Sequence, residues 1–218
     1  MTFQSSASFI IRPTITRNNH IFELITIPHA NSNKVPTMPV NYQVNWGDSE
    51  NIESWMGNAI HEYIFRDGVE SIRPTITING SFPVLHFIWS DLMIAAERSA
   101  DANRMLDDDN NELFVGTNRM LDDDDNELSV YIEIVDLEIV QWGLIPFEVM
   151  EYGFANCRNL KISADDRPNL TKVQSLRGLF SKCHFDDPLD NWNVSTVTDM
   201  GHMFAEATNF NQSLNNWN

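Results

Sequence analysis

The sequence predicts an α+β protein in two parts, an N-terminal antiparallel β-sandwich over residues 1–100 and a short α/β solenoid over 138–218. An acidic, duplicated segment over 101–137 joins them. Three observations carry this reading. Leu189-Asp-Asn-Trp192-Asn-Val194 returns 25 positions later as Leu214-Asn-Asn-Trp217-Asn218. Short runs rich in β-branched and aromatic residues, punctuated by turn residues, fill the first hundred positions. Between them Asn103-Arg-Met-Leu-Asp-Asp-Asp-Asn-Asn-Glu-Leu113 recurs 15 positions later as Asn118-Arg-Met-Leu-Asp-Asp-Asp-Asp-Asn-Glu-Leu128.

The first strands are expected at Phe9–Ile11 and Ile21–Ile27. Asn41-Tyr-Gln-Val-Asn-Trp46 then alternates polar and apolar residues into a Gly47-Asp48 turn. Ile60–Tyr63 and Ile72–Ile78 follow as strands, with Asn79-Gly80 as a turn before the run from Phe82 to Trp89. Trp46 is expected in the core, and Asp48 is expected to accept hydrogen bonds from nearby backbone N–H groups of its turn.

The acidic segment holds 2 basic and 12 acidic side chains, a net −10 of the chain's −17, so the acidity is local. Calcium prefers several oxygen ligands, and Asp122, Asp124, Asn126 and Glu133 occupy calcium-loop positions. The match fails at the sixth place, where Glu127 stands instead of the glycine that permits the sharp turn. The first copy also lacks the final acid. The reading taken is therefore a solvated hairpin or loop, with calcium as the alternative and no other cofactor. The two copies, joined by Phe114-Val-Gly-Thr117, are able to pair as a hairpin, and the apolar run Val130–Ile134 leads on as a strand.

In the C-terminal part, Val173, Leu176, Leu179, Phe180 and Cys183 precede Val197, Met200, Met203, Phe204 and Ala207 by 24 residues each. Phe147, Met150, Phe154 and Cys157 precede their counterparts by 26. A unit this short cannot bury its apolar face alone and must stack on its neighbours. Apolar positions 3, 3, 1 and 3 apart predict one helical stripe per unit, with Ser195 or Thr196, Thr171 and Pro146 at the helix starts. Phe210–Leu214, Phe185–Leu189 and Leu160–Ile162 then read as short strands. Cys157 and Cys183 fall at the same place in consecutive units and are expected as small buried residues. A disulfide between adjacent units is the alternative.

The pattern Leu-x-x-Trp-Asn-Val-Ser-x-Val-Thr-Asp-Met-x-x-Met-Phe-x-x-Ala-x-x-Phe-Asn-Gln-x-Leu, from Leu189 to Leu214, resembles the repeat of the BspA-like leucine-rich repeat surface proteins of bacteria. The copies from Gln141 to Cys183 are more divergent. Val44-Asn-Trp46-Gly47-Asp48, with His61-Glu-Tyr63 and Ile76-Thr-Ile-Asn-Gly80, resembles a PKD-like domain, an immunoglobulin-type sandwich. Ser49 stands where such domains usually carry Gly. Together the resemblances imply a surface or secreted protein used in adhesion or protein interaction, and they name no ligand.

Composition narrows the classes. An acidic chain without a basic cluster is a poor partner for nucleic acid, whose binding rests on Lys and Arg. No apolar run of about 18 residues spans a membrane. Met1–Phe9 lacks the basic start and apolar stretch of a secretory signal, which conflicts with the surface location the resemblance implies. The chain also stops at Asn218 where a further repeat should begin, so a fragmentary chain is expected. His20, His29, His61, His86, His184 and His202 show no metal-ligand spacing, and no nucleophile elbow, phosphate loop or zinc motif is present.

The function expected is a non-enzymatic surface, adhesion or interaction module meeting a protein or extracellular ligand. Its contacts would be exposed polar residues beside the strands, such as Asp190, Asn211, Gln212 and Asn215. The runner-up is a structural fragment of a larger repeat protein. The rival class is a carboxylate-based hydrolase using the acidic segment with Asp48 or His61, which needs two carboxylates about 5–10 Å apart in a cleft.

Overall fold

The computed structural model describes residues 8–17, 20–26, 34–85, 87–90, 119–121, 127–129 and 134–217. It is β-rich, and no helix forms among the described residues. In chain order the strands are β1 (Phe9–Pro13), β2 (Ile15–Thr16), β3 (Ile21–Leu24), β4 (Asn41–Asn45), β5 (Glu53–Trp55) and β6 (Ala59–Glu62). They are followed by β7 (Ser71–Ile72), β8 (Ile76–Ser81), β9 (Phe87–Ser90), β10 (Arg119–Leu121), β11 (Glu127–Ser129), β12 (Ile134–Gln141) and β13 (Cys157–Ile162).

Six strands form one sheet in the order β13-β12-β1-β8-β4-β5, and three form a second in the order β6-β3-β9. Every pairing in the two is antiparallel except β12 with β13, which run parallel. Alternation does in β1 and β4 what the pleat requires: Phe9, Ile11, Tyr42 and Val44 point inward and are buried while their neighbours face out. Phe22 of β3 meets Trp46 edge to face at 6.5 Å, which joins the core of the small sheet to that of the large one.

Two expectations for this region change. The run Ile72–Ile78 divides between β7, which pairs with β2, and β8, which pairs with β1 and β4. Pro74 lies at the division and has no N–H to give a ladder. Asn79-Gly80 is not a turn. Gly80 lies inside β8 opposite Tyr42, with φ +104°, and a Cβ there would come within 2.7 Å of the Asn41 carbonyl oxygen. The glycine serves close strand approach rather than reversal.

The C-terminal part departs most from expectation. Each apolar stripe winds as consecutive tight turns, not as a helix. In the first unit Gly153, Ala155 and Cys157 N–H donate three residues back, to Met150, Tyr152 and Phe154. The intervening N–H groups of Tyr152, Phe154 and Asn156 point sideways and donate to Arg177, Leu179 and Ser181 in the next unit, at 2.8–3.0 Å. The second unit repeats this, with Leu176, Gly178, Phe180 and Lys182 donating to Asp199, Gly201, Met203 and Ala205. Spacing of 3, 3, 1 and 3 suits stacked turns as well as it suits a helix. Left-handed residues decide between them: Tyr152 and Asn156, Gly178 and Lys182, His202 and Glu206 all have φ near +60°, which ends an α-helix after a single turn.

With no helix there are no helix caps. Asn169 and Asn193 side chains instead accept from the N–H groups of Thr171 and Ser195, while the Thr196 hydroxyl donates to the carbonyls of Leu170 and Val173 in the preceding unit. Pro146 sits in an isolated parallel bridge with Asn169. Of the three expected short strands only Leu160–Ile162 forms, as the end of β13. At 185–189 and 210–214 the ladder is replaced by carboxylates, for Asp187 accepts from Ile162 N–H and Asp186 from Asn211 N–H. Pro188 also removes a donor.

Non-glycine residues in the left-handed region are strained by about 1–2 kcal/mol. His202 occupies the place that Gly178 fills one unit earlier. His202→Gly should therefore raise the unfolding free energy by about 0.5–1 kcal/mol after the greater entropy lost by glycine, readable as a higher urea midpoint.

Candidate functional site

Three places hold polar side chains in defined arrangements. The first is the outer surface of the stacked units, where polar side chains of one unit reach those of the next. Arg177 Nη1 lies 3.8 Å from Asp199 Oδ2, and Lys182 Nζ lies 3.9 Å from Glu206 Oε1. Asn216 donates to Asp190 at 3.5 Å, and Arg167 to the Asn191 carbonyl at 3.3 Å. Each link spans 22 to 26 residues, so one unit addresses the next. Pairs this exposed add little stability, and their effect is to fix side-chain positions on a regular polar surface.

Of the expected contact residues, Asp190, Asn211 and Asn215 are exposed and Gln212 is half-buried. Asn211 is tied by its backbone N–H to Asp186 at 2.7 Å, and Asn215 N–H donates to Ser213 Oγ at 3.3 Å. Sequence reasoning passed over the carboxylates that organise this region. Asp166 accepts from both Trp142 and Gly143 N–H, at 2.9 and 2.8 Å. The signal for it was present, since Asp165-Asp166-Arg-Pro168 and Asp186-Asp187-Pro188 put an acidic pair ahead of a proline in successive units.

The second place gathers residues of the Trp-Gly-Asp turn and β6. His61 Nε2 donates to Asp48 Oδ2 at 2.8 Å, and its ring stacks on Trp46 at 4.9 Å and meets Tyr63 edge-on at 4.6 Å. Asp48 thus holds a histidine, not the backbone of its own turn as expected, because β6 brings His61 across from the second sheet. Tyr63 donates to the Trp46 carbonyl, and burial followed by the Asp48 charge pushes its phenol well above the ordinary range. Trp46 is buried as expected, and its indole N–H shares Glu53 Oε2 with Trp55.

The third place is a cleft of about 250 Å³ lined by Lys34, Val35, Thr37, Glu148, Lys172 and Gln174, among others. Glu148 fastens its two sides. Its carboxylate accepts from the N–H groups of Thr37 and Met38 and the Thr37 hydroxyl, at 2.5, 2.9 and 2.7 Å, with Lys172 Nζ 3.6 Å away. Burial alone would raise this carboxyl. The hydrogen bonds from Met38 and Thr37 and the Lys172 charge outweigh burial and hold it below its usual value.

The sign of the pH effect follows. Because the folded value is depressed, the contribution of Glu148 is complete above the unfolded carboxyl range, near pH 4.3, and is lost as pH falls through the lower folded value. Glu148→Gln should cost about 1.5–3 kcal/mol at pH 7, and less below pH 4, in paired denaturant titrations.

The calcium candidates Asp122, Asp124, Asn126 and Glu133 lie outside the described residues. From the acidic segment β10 and β11 form a two-stranded antiparallel hairpin within the second copy, and the first copy lies outside the described residues. Among the described residues no three His, Cys, Asp or Glu side chains are grouped to hold a metal, and no helix is long and apolar enough to cross a membrane. Cys157 and Cys183 are buried free thiols, and burial, with a hydrogen bond to Cys183, raises the Cys157 thiol well above its ordinary value.

Comparison with known proteins reaches the stacked units alone. A family model described as "Mycoplasma protein of unknown function, DUF285" matches residues 148–218, about a third of the chain. No curated protein and no solved structure matches the chain.

Proposed function

We propose that the chain is a non-enzymatic interaction module of the cell-surface or secreted adhesion type, a PKD-like sandwich leading into a leucine-rich-type solenoid whose outer face meets a protein or extracellular ligand. The observation that carries the proposal is the registration of the stacked units. Arg177 with Asp199, Lys182 with Glu206 and Asp190 with Asn216 tie polar side chains of one unit to those of the next, so the surface is polar and its side chains are held from unit to unit. Stacked repeats characteristically use such a surface to bind. The resemblance of Leu189 to Leu214 to BspA-like repeats points to the same reading.

Asp190, Asn211, Gln212 and Asn215 supply hydrogen-bonding groups on that surface, with Arg177 and Lys182 as the cations. The test is capture of host matrix proteins and of cell-envelope preparations by the immobilised chain. Saturable binding at micromolar concentration, weakened by Arg177→Ser with Lys182→Ser, is expected. Binding no stronger than to an unrelated acidic protein overturns the proposal.

A further inference from the structure

Neither the outer surface nor the cleft uses the thiols of Cys157 and Cys183, which are free and 0% exposed. They hold the same place in consecutive units. Cys157 N–H donates to the Phe154 carbonyl and Cys183 N–H to the Phe180 carbonyl, each at 3.1 Å. Hydrogen bonds between the two units bracket the pair: Asn156 N–H donates to the Ser181 carbonyl at 2.8 Å before it, and His184 N–H to the Cys157 carbonyl at 2.9 Å after it. Three residues earlier the rings of Phe154 and Phe180 stack at 5.7 Å, so the units are in register here. Backbones hydrogen-bonded side by side lie about 4.7–4.9 Å apart, inside the range of about 4.4–6.8 Å between Cα atoms that a disulfide accepts. The thiols themselves share a hydrogen bond.

We propose that Cys157 and Cys183 form a covalent modification site, which oxidation closes into a disulfide stapling the second unit to β13. Cys157 opens β13 opposite Ile134 of β12, so the staple ties the second unit to the large sheet. The oxidant is a small-molecule disulfide or the disulfide of a thiol oxidoreductase. One thiol gives up its proton and attacks a sulfur of that disulfide, which expels one thiolate and leaves a mixed disulfide. The second thiol, deprotonated in turn, displaces the other half as a second thiolate. The protein has then lost two hydrogens, and the oxidant has been reduced to two thiols. Burial sets the speed. It holds the Cys157 thiol well above its ordinary value, and the thiolate is the nucleophile, so the folded chain reacts slowly and the finished bond is shielded from thiols in solution. Such a pair is a lasting clamp, set when the chain meets an oxidising compartment, and not a fast sensor. The inference does not rest on the adhesion reading, because it concerns the interior of the stack.

The experiment unfolds the full chain in urea and refolds it with oxidised glutathione, and in parallel with a reducing phosphine. The oxidised sample is expected to be a monomer lighter by two hydrogen atoms, to yield proteolytic peptides joined from Cys157 to Cys183, and to melt about 5–10 °C above the reduced one, because the bond closes a loop across 26 residues. Cys183→Ala should melt at one temperature in both buffers. Alanine suits the position, since Ala207 fills it in the third unit and donates to the Phe204 carbonyl at the same 3.1 Å. Two free thiols after oxidative refolding, a mixed disulfide with glutathione at either cysteine, or dimers joined between chains would each overturn the proposal. A disulfide that forms without raising the melting temperature would overturn it as a staple. The comparison of oxidised with reduced parent chain needs no variant, and failure of matrix capture leaves it untouched.

Discussion

Phe180→Ala should lower the unfolding free energy by about 3–5 kcal/mol, the range for deleting a fully buried ring that its surroundings cannot refill. Phe180 is 0% exposed and touches four rings: Phe154 and Phe204 in the neighbouring units, at 5.7 and 5.8 Å, and Phe185 and Trp192, at 4.5 and 5.9 Å. None of these neighbours can close the gap without leaving its own stack. For a chain of this size the loss corresponds to a fall in melting temperature of roughly 6–20 °C. Phe204→Ala removes a ring that stacks on Phe180 and Phe210, at 5.8 and 4.5 Å, but is only partly buried, and should cost about 1.5–3 kcal/mol. Equal effects of the two substitutions, measured by thermal melting, would contradict the difference in burial between the two rings.

The second large effect is expected at Gly47. Its φ is +81°, and a Cβ there would lie 2.5 Å from the Thr75 carbonyl oxygen and 2.7 Å from the Thr75 nitrogen. Both obstacles are backbone, so the chain entering β8 would itself have to move. Left-handed strain and backbone displacement together predict a loss of roughly 2–4 kcal/mol for Gly47→Ala. Two other glycines separate the causes. Gly68 has φ +78° and open space, so Gly68→Ala should show strain alone, about 1 kcal/mol. Gly57 has neither constraint, and Gly57→Ala should stay within about 0.5 kcal/mol of the parent. Denaturant midpoints of the three variants decide the order.

Strands β1 and β4 were legible because alternation is a local signal, whereas β2 and β5 are too short to show one. Phe9, Ile11, Tyr42 and Val44 announce their buried face within a few positions, and the Trp46-Gly47-Asp48 turn announces its glycine. The repeat period was legible for the same reason. Its local structure was not, because apolar spacing cannot tell a helical stripe from stacked turns. The signs against the helix lay in Asn156 and Gly178, residues suited to the left-handed region, and they were outweighed by the stripe. The partners of Glu148 and Asp48 were hidden by distance along the chain. Glu148 meets Thr37 across 111 residues, and Asp48 meets His61 on a strand of the other sheet. Nothing in either neighbourhood names the partner.

The place of β1 in the large sheet sets a timetable. Its strand lies between β8 and β12, so Phe9 faces Ile78 on one side while Ile10 faces Gln141 on the other. The first neighbour is synthesised about seventy residues after β1 and the second some 130 residues after it. At ribosomal speeds of about 5–20 residues per second, the edge that β12 will cover stays open for roughly 3–13 seconds after β8 has arrived. During that interval a nascent chain presents an apolar strand edge to its surroundings. The stacked units cannot be built outward from β13 until β12 has closed it, so their assembly waits on the pairing of β12 with β1.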